Sequence, residues 1–315
     1  MPELPEVETI ARGLAQRVAG DRIESVWLGS KPEPLKSPAG EIQATLESAR
    51  IAAVRRVGKH IVFDLSRQSP VAGRQQERAQ WIVHLGMTGR LLVARPESEL
   101  PKHTHAILRL ASGRELRFVD PRRFGRLSVV HEEFAPDGQE PLDVGFELFA
   151  GLFRKRKTPV KSALLNQKLL RGVGNIYADE SLFRAKVRPR RRAAGLTRDE
   201  LRRLYKSLQR VLNQAIKAGG SSVSDYVDAD GEEGFFQFQH RVYGREDEPC
   251  LACKTPIKRV VIAGRSAHYF APDRRTRHLP GRRPARFHQP HPRSPRGGRR
   301  ALPGGPRRAA RAADL

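Results

Sequence analysis

At 315 residues the chain is long enough for two domains. Its formal charge of +25 and pI near 11.1 call for a polyanionic partner, nucleic acid ahead of an acidic membrane surface. It has no apolar run near the roughly 18 residues of a membrane span and no signal-peptide core, so a soluble cytoplasmic protein is expected. The 13 arginines and 2 aspartates from Ala271 onward carry +11 of the charge, leaving +14 for residues 1–270, so the body is basic in its own right.

The chain opens Met1-Pro2-Glu3-Leu4-Pro5-Glu6-Val7-Glu8. If Met1 is removed, Pro2 presents a free secondary amine. An α-amino group titrates near ~8, so a neutral fraction exists at physiological pH, and attack on an electrophilic sugar carbon would give an iminium, a good electron sink. Glu3 and Glu6 lie close enough in sequence for one carboxyl to act as general acid and the other to orient it. The same residues also suit an ordinary helix start, with prolines in the first turn and glutamates at its positive end. Val7, Ile10, Ala11, Leu14 and Val18 recur at helical spacing and Gly20 follows as a stop, which predicts a helix over 7–18.

Eight short apolar runs follow, bounded by Gly, Pro and Ser: 22–28, 50–54, 59–65, 81–85, 90–93, 106–110, 115–118 and 127–130. They predict a β-sandwich or barrel, with residues 67–80 as a loop insertion. Three motifs lie in this region. Val57-Gly58-Lys59-His60 enters a strand and either points Lys59 into a cleft or leaves it as a solvated turn lysine. In His84-Leu85-Gly86-Met87-Thr88-Gly89 the methionine is packing, or an apolar wedge that fills the hole left by a displaced base. Asp120-Pro121-Arg122-Arg123-Phe124-Gly125-Arg126 is a turn with its phenylalanine folded inward, or a loop that presents Arg and Phe together.

Residues 131–158 mix Pro, Gly and charge and read as an interdomain linker. Helices are predicted over 160–170, 175–183 and 197–218, the last opening with the capping box Thr197-Arg198-Asp199-Glu200. Gly172-Val173-Gly174-Asn175 connects the first two. Its glycines serve packing, or they expose amides to a phosphate at a helix N-terminus. The only cysteines form Cys250-Leu251-Ala252-Cys253, a spacing for metal or redox chemistry. The runs 255–262 and 264–269 follow.

Several of these strings together resemble the formamidopyrimidine-DNA glycosylase family of bacterial repair enzymes: Pro2 to Glu8, Asp120 to Arg126, Lys168 to Glu180, and Tyr243-Gly244-Arg245 ahead of Cys250. The resemblance implies an α+β protein with an N-terminal β-sandwich and N-terminal helix (1–135), a linker (136–157), a helix-two-turn-helix domain (158–240) and a zinc-finger-like β-hairpin (241–272). It implies a base-excision glycosylase and AP lyase that removes oxidised purines and nicks double-stranded DNA by β,δ-elimination through a Pro2 Schiff base, acting as a monomer without an organic cofactor. Pro2, Glu3 and Lys59 would be catalytic, with Glu6 in support. Met87, Arg122 and Phe124 would enter the duplex, while His103, Lys161, Asn175 and Arg265 would hold DNA. A mobile loop within 221–238 would close over the everted base. The sister branch that excises oxidised pyrimidines is an alternative, as is a non-catalytic damaged-DNA binder.

The resemblance fails at the end. A structural zinc takes four ligands, and the family places a second Cys-x-x-Cys after the hairpin strand, where this chain has Phe270-Ala271-Pro272-Asp273. Cys250 and Cys253 are half a set, with Asp273, His268 or His278 as substitutes, so the finger is expected to be degenerate and poorly anchored. Residues 273–315 are Arg, Pro, Gly and Ala without apolar periodicity, and read as a disordered tail that follows a reading-frame change near codon 270.

Overall fold

The opening helix starts three residues earlier than its apolar spacing suggests. In the computed structural model, which describes residues 1–67, 77–222, 229 and 231–270, α1 spans Leu4–Val18. Pro5 lies in the first turn, where a missing N–H costs nothing. The Glu6 carboxylate accepts the Glu3 N–H at 2.8 Å and fixes the entry of the chain. Leu4, Val7, Ile10, Ala11, Leu14 and Val18 are all buried, each worth on the order of 1–3 kcal/mol of apolar transfer.

The eight strands are present: β1 Ile23–Leu28, β2 Arg50–Val57, β3 His60–Arg67, β4 Glu77–His84, β5 Arg90–Ala94, β6 Thr104–Leu110, β7 Glu115–Val119 and β8 Arg126–Val130. They form two four-stranded antiparallel sheets, β1-β6-β7-β5 and β2-β3-β4-β8. The sheets enclose a core that includes Ile23, Phe63, Trp81, Leu108, Phe118 and Leu127 under α1, so of the sandwich or barrel that the alternation allowed, the sandwich is observed. β4 begins at Glu77, inside the interval 67–80 read as a loop, and residues 68–76 lie outside the described residues.

Two helices are additions to the sequence reading. α2 is Ala39–Leu46, which buries Ile42 and Leu46 one turn apart. α3 is Phe146–Phe153, within the stretch read as linker; it buries Phe149 and Phe153 and is capped by Gly145. The Pro and Gly on either side masked its short apolar stripe. Next come α4 Val160–Leu165, α5 Asn175–Ala185 and α6 Arg198–Lys217. α4 ends five residues short of expectation because the Asn166 side chain accepts the Lys168 N–H at 3.0 Å and its carbonyl turns the chain toward Leu169 and Leu170. α6 carries the predicted capping box: the Glu200 N–H donates to Thr197 Oγ1 at 3.2 Å, and the Thr197 N–H to Glu200 Oε2 at 2.9 Å. A closing hairpin pairs β9 Ile257–Ile262 with β10 Arg265–Phe270. Among the described residues no helix is long and apolar enough to cross a membrane.

α3 to α6 surround a second core, and Leu4 belongs to it while Val7 onward belongs to the first. The first turn of α1 therefore stands where the two cores meet. A charged cluster ties the same junction. Arg56 donates to Glu8 at 2.7 Å and to Glu140 at 2.8 Å, Arg171 donates to Glu140 at 3.0 Å, and the Gly58 N–H donates to Glu140 at 2.7 Å. Arg56 is nearly closed to solvent, so removing its partner leaves a buried charge underpaired. Glu140→Ala is expected to lower the unfolding free energy by about 3 kcal/mol in chemical denaturation; a loss under about 1 kcal/mol would mark the cluster as an ordinary surface network.

Candidate active site

Pro2, Glu3 and Glu6 are buried at the core junction, with Met1 partly exposed above them. Glu3 reaches the amino end of α5, where its carboxylate accepts the Ile176 N–H at 3.0 Å and the Tyr177 N–H at 3.5 Å. Glycine permits the approach: a Cβ on Gly174 would overlap the Glu3 carboxyl, and Gly172, at φ +94°, would press one onto Leu4. The Leu4 N–H donates to the Gly172 carbonyl at 3.0 Å. The Ile176 and Tyr177 amides are therefore bound by a carboxylate, and the two glycines serve close packing against Glu3 and Leu4. Glu6 accepts from the Ser221 N–H at 2.8 Å and from the Tyr177 hydroxyl.

Burial pushes the Glu3 carboxyl up to about 7; the Lys59 ammonium pulls against this, Glu6 adds to it, and the two α5 amides oppose it. Glu6 is also raised by burial, with its hydrogen bonds opposing. Lys59 sits in the β2–β3 turn beside Gly58, which has φ +60°. Burial holds its amine below the ordinary lysine value, while Glu3 and Glu6 favour its charge and Arg265 disfavours it. These couplings bring Glu3, Glu6, Lys59 and Arg265 into one electrostatic neighbourhood, although they come from widely separated parts of the chain. A carboxyl poised near neutrality beside an imino nitrogen, once Met1 is removed, is a proton donor next to a nucleophile.

Two loops make an exposed apolar projection. Met87 is 40% and Phe124 51% exposed, and the Arg122 guanidinium lies 4.8 Å from the centroid of the Phe124 ring. Phe124 is not folded inward. Buried Asp120 braces both loops: it accepts from Thr88 Oγ1 at 2.6 Å, the Gly125 N–H at 2.7 Å and the Arg122 N–H at 3.2 Å. Gly86, at φ +64°, lies so close to Phe124 that a Cβ would collide with its backbone. Exposed His103 joins this group through its carbonyl, which accepts the Asp120 N–H at 3.0 Å.

Lys161 is fully buried, with Nζ donating to Asp179 at 2.6 Å and to the Ser266 carbonyl. Asn175 donates to Ser266 Oγ at 3.2 Å. Both side chains face the hairpin, whose exposed Arg265 opens β10. Of the loop read over 221–238, residues 223–228 and 230 lie outside the described residues. Tyr177, Asp179, Asp120 and Glu140 were missed as site residues. Tyr177 and Asp179 stand within a recognised string, but their partners lie too far along the chain to leave a local signal.

Among the described residues the side chains do not make a structural zinc site. Cys250 is buried and Cys253 exposed, both as free thiols, and among the described residues no group of three or more His, Cys, Asp or Glu side chains could hold a metal ion. His268, considered as a substitute ligand, faces α5, with its ring nitrogen 3.2 Å from Asp179. Asp273 and His278 lie outside the described residues.

The Glu3 shift has a stability consequence. Its folded pKa of about 7 exceeds the ordinary 4.5, so between these values the folded chain binds more protons than the unfolded chain, and stability falls as pH rises through the window, by up to about 3 kcal/mol. Glu3→Gln removes this cost. The variant is expected to melt above the parent at pH 8, the gap closing toward pH 5; equal melting temperatures at pH 8 would contradict the shift.

The model of the formamidopyrimidine-DNA glycosylase N-terminal domain matches residues 1–127, and that of the formamidopyrimidine-DNA glycosylase H2TH domain matches residues 137–227. A protein of Solibacter usitatus (strain Ellin6076) named formamidopyrimidine-DNA glycosylase is 45% identical over 273 residues, covering 85% of this chain and 97% of the relative. The crystal structure of the MutM (Fpg) protein from Thermus thermophilus is 42% identical with a TM-score of 0.73, over 85% of this chain and 97% of that one. The Lactococcus lactis Fpg, solved in complex with DNA containing an abasic site, is 30% identical with a TM-score of 0.76, again over 85% of this chain and 97% of that one. With two family domains matched in sequence and fold alike, the chain belongs to the formamidopyrimidine-DNA glycosylase family.

Proposed function

We propose that this chain is a DNA glycosylase and AP lyase that removes oxidised purines from double-stranded DNA and nicks the strand. Pro2, freed of Met1, attacks C1′ of the everted nucleotide, the base departs, and the resulting iminium acidifies C2′ so that β- and then δ-elimination cut the backbone. Glu3 protonates the sugar ring oxygen as the ring opens. Its elevated pKa keeps a large protonated fraction at neutral pH, and this buried carboxyl beside Pro2 is the observation that carries the proposal. Lys59 contacts the phosphates around the lesion, and Glu6 holds the Pro2–Glu3 turn.

Met87, Arg122 and Phe124 enter the duplex and offset the few kcal/mol lost when the lesion leaves the stack. His103, Asn175 and Arg265 face the backbone. Lys161, buried against Asp179, contributes by fixing the hairpin that presents Arg265. The basic body supplies salt-sensitive attraction to the phosphates, and the place of work is the bacterial cytoplasm, at the nucleoid.

A duplex carrying a single 8-oxoguanine, incubated with the parent and with Glu3→Gln, tests this. The parent should release the base and nick at the lesion, while Glu3→Gln should bind the duplex and be slower by about 10²–10⁴. An unimpaired Glu3→Gln, or nicking indifferent to the lesion, would overturn the proposal.

A further inference from the structure

We propose that the β9–β10 hairpin is held on α5 by Asp179 rather than by a metal ion, and that Asp179 is thereby a positioning residue for Arg265. The proposal rests on the preceding function only for what Arg265 contacts. β9 occupies one edge of β10. On the other edge, the His268 N–H donates to Asp179 Oδ2 at 2.8 Å and the Ser266 carbonyl accepts from Lys161 Nζ. Residues 266 and 268 are two apart, so they present their backbone groups on the same side. Asp179 and Lys161, themselves paired at 2.6 Å, thus take one N–H and one carbonyl of that edge.

Further contacts hold the same strand and the segment that leads to it. Asn175 donates to Ser266 Oγ at 3.2 Å, the His268 ring nitrogen lies 3.2 Å from Asp179 Oδ2, and the Tyr243 ring packs edge-on against His268 with centroids 5.2 Å apart. Glu180 Oε1 accepts the successive N–H groups of Arg241, Val242 and Tyr243, the segment leading to the hairpin, at 2.9, 2.9 and 3.0 Å. Asp179, His268, Lys161 and Glu180 are all buried, so these bonds form away from competing water. One helix thus holds Glu3 with its first amides and the strand of Arg265 with its next turn. The cysteine turn at the far end of the hairpin supplies two thiols, half of what a closed zinc site takes.

Hydrogen exchange of residues 257–270 in the full-length chain, measured without DNA, tests the proposal independently of any enzymatic activity. Exchange should be unchanged by 1,10-phenanthroline and by the double substitution Cys250→Ser, Cys253→Ser, with zinc substoichiometric by mass spectrometry. Asp179→Ala should speed exchange of the hairpin about tenfold or more and raise KM for the lesion duplex more than it lowers kcat. Because Asp179→Ala strands a buried lysine, His268→Pro is the companion variant: it deletes the N–H donor, leaves the Lys161–Asp179 pair intact and should also loosen the hairpin. One zinc per chain whose removal exposes the hairpin would overturn the proposal, as would unchanged protection in His268→Pro.

Discussion

A carboxylate from residue 3 closes the amino end of a helix that begins at residue 175. That contact, Glu3 with the Ile176 and Tyr177 amides, sets the position of everything around it. With the Leu4 N–H bond to the Gly172 carbonyl, it ties the first turn of α1, and buried Pro2 ahead of it, to the second core. It also requires a bare backbone at Gly174 and a left-handed residue at Gly172. The helix dipole and the amides favour the ionised carboxylate, yet desolvation outweighs them and leaves the group near neutrality. The chain tolerates this unfavourable burial at the point where the proposed reaction needs a proton donor.

The same helix organises the other half of the site. Tyr177 reaches Glu6, Asp179 and Asn175 reach β10, and Glu180 gathers the chain that leads there. Glu140, which accepts the Gly58 N–H, and Arg56, which donates to the Gly58 carbonyl, fix the turn that carries Lys59. Pro2, Glu3 and Lys59 are thus placed by buried polar contacts between distant segments, whereas Met87, Arg122 and Phe124 are placed by local turns braced on Asp120. Rigid support under exposed side chains is what intrusion into a duplex asks for, since a wedge that yields cannot replace a base in the stack.

Features with local causes were readable in the sequence. The apolar alternation located all eight strands, and the Thr197 capping box located the start of α6 to the residue. The turn motifs singled out Lys59, Met87, Arg122 and Phe124, which the fold sets in tight turns or on exposed loops. Short apolar stripes between prolines and glycines were not readable: α3, with Phe149 and Phe153, looked like linker because its stabilisation comes from the second core rather than from its own propensity. Long-range pairings were equally silent. Nothing near Asp179 signals that it binds residue 268, so a finger short of ligands was expected to hang loose. Lys161 likewise pairs with Asp179, on the next helix, a contact that its place in the motif did not signal.

The proposed reaction depends on covalent attack by the Pro2 nitrogen, supported by Glu3 in the position the core junction gives it. Borohydride trapping on a duplex with a single 8-oxoguanine, followed by mass mapping of the cross-linked peptide, tests it most directly. Protein lacking Met1 should give a reduced adduct on Pro2, and protein that retains Met1, or carries Pro2→Gly with Met1 in place, should give none at that residue. Base release with no adduct, or an adduct that maps to Lys59, would contradict the claim.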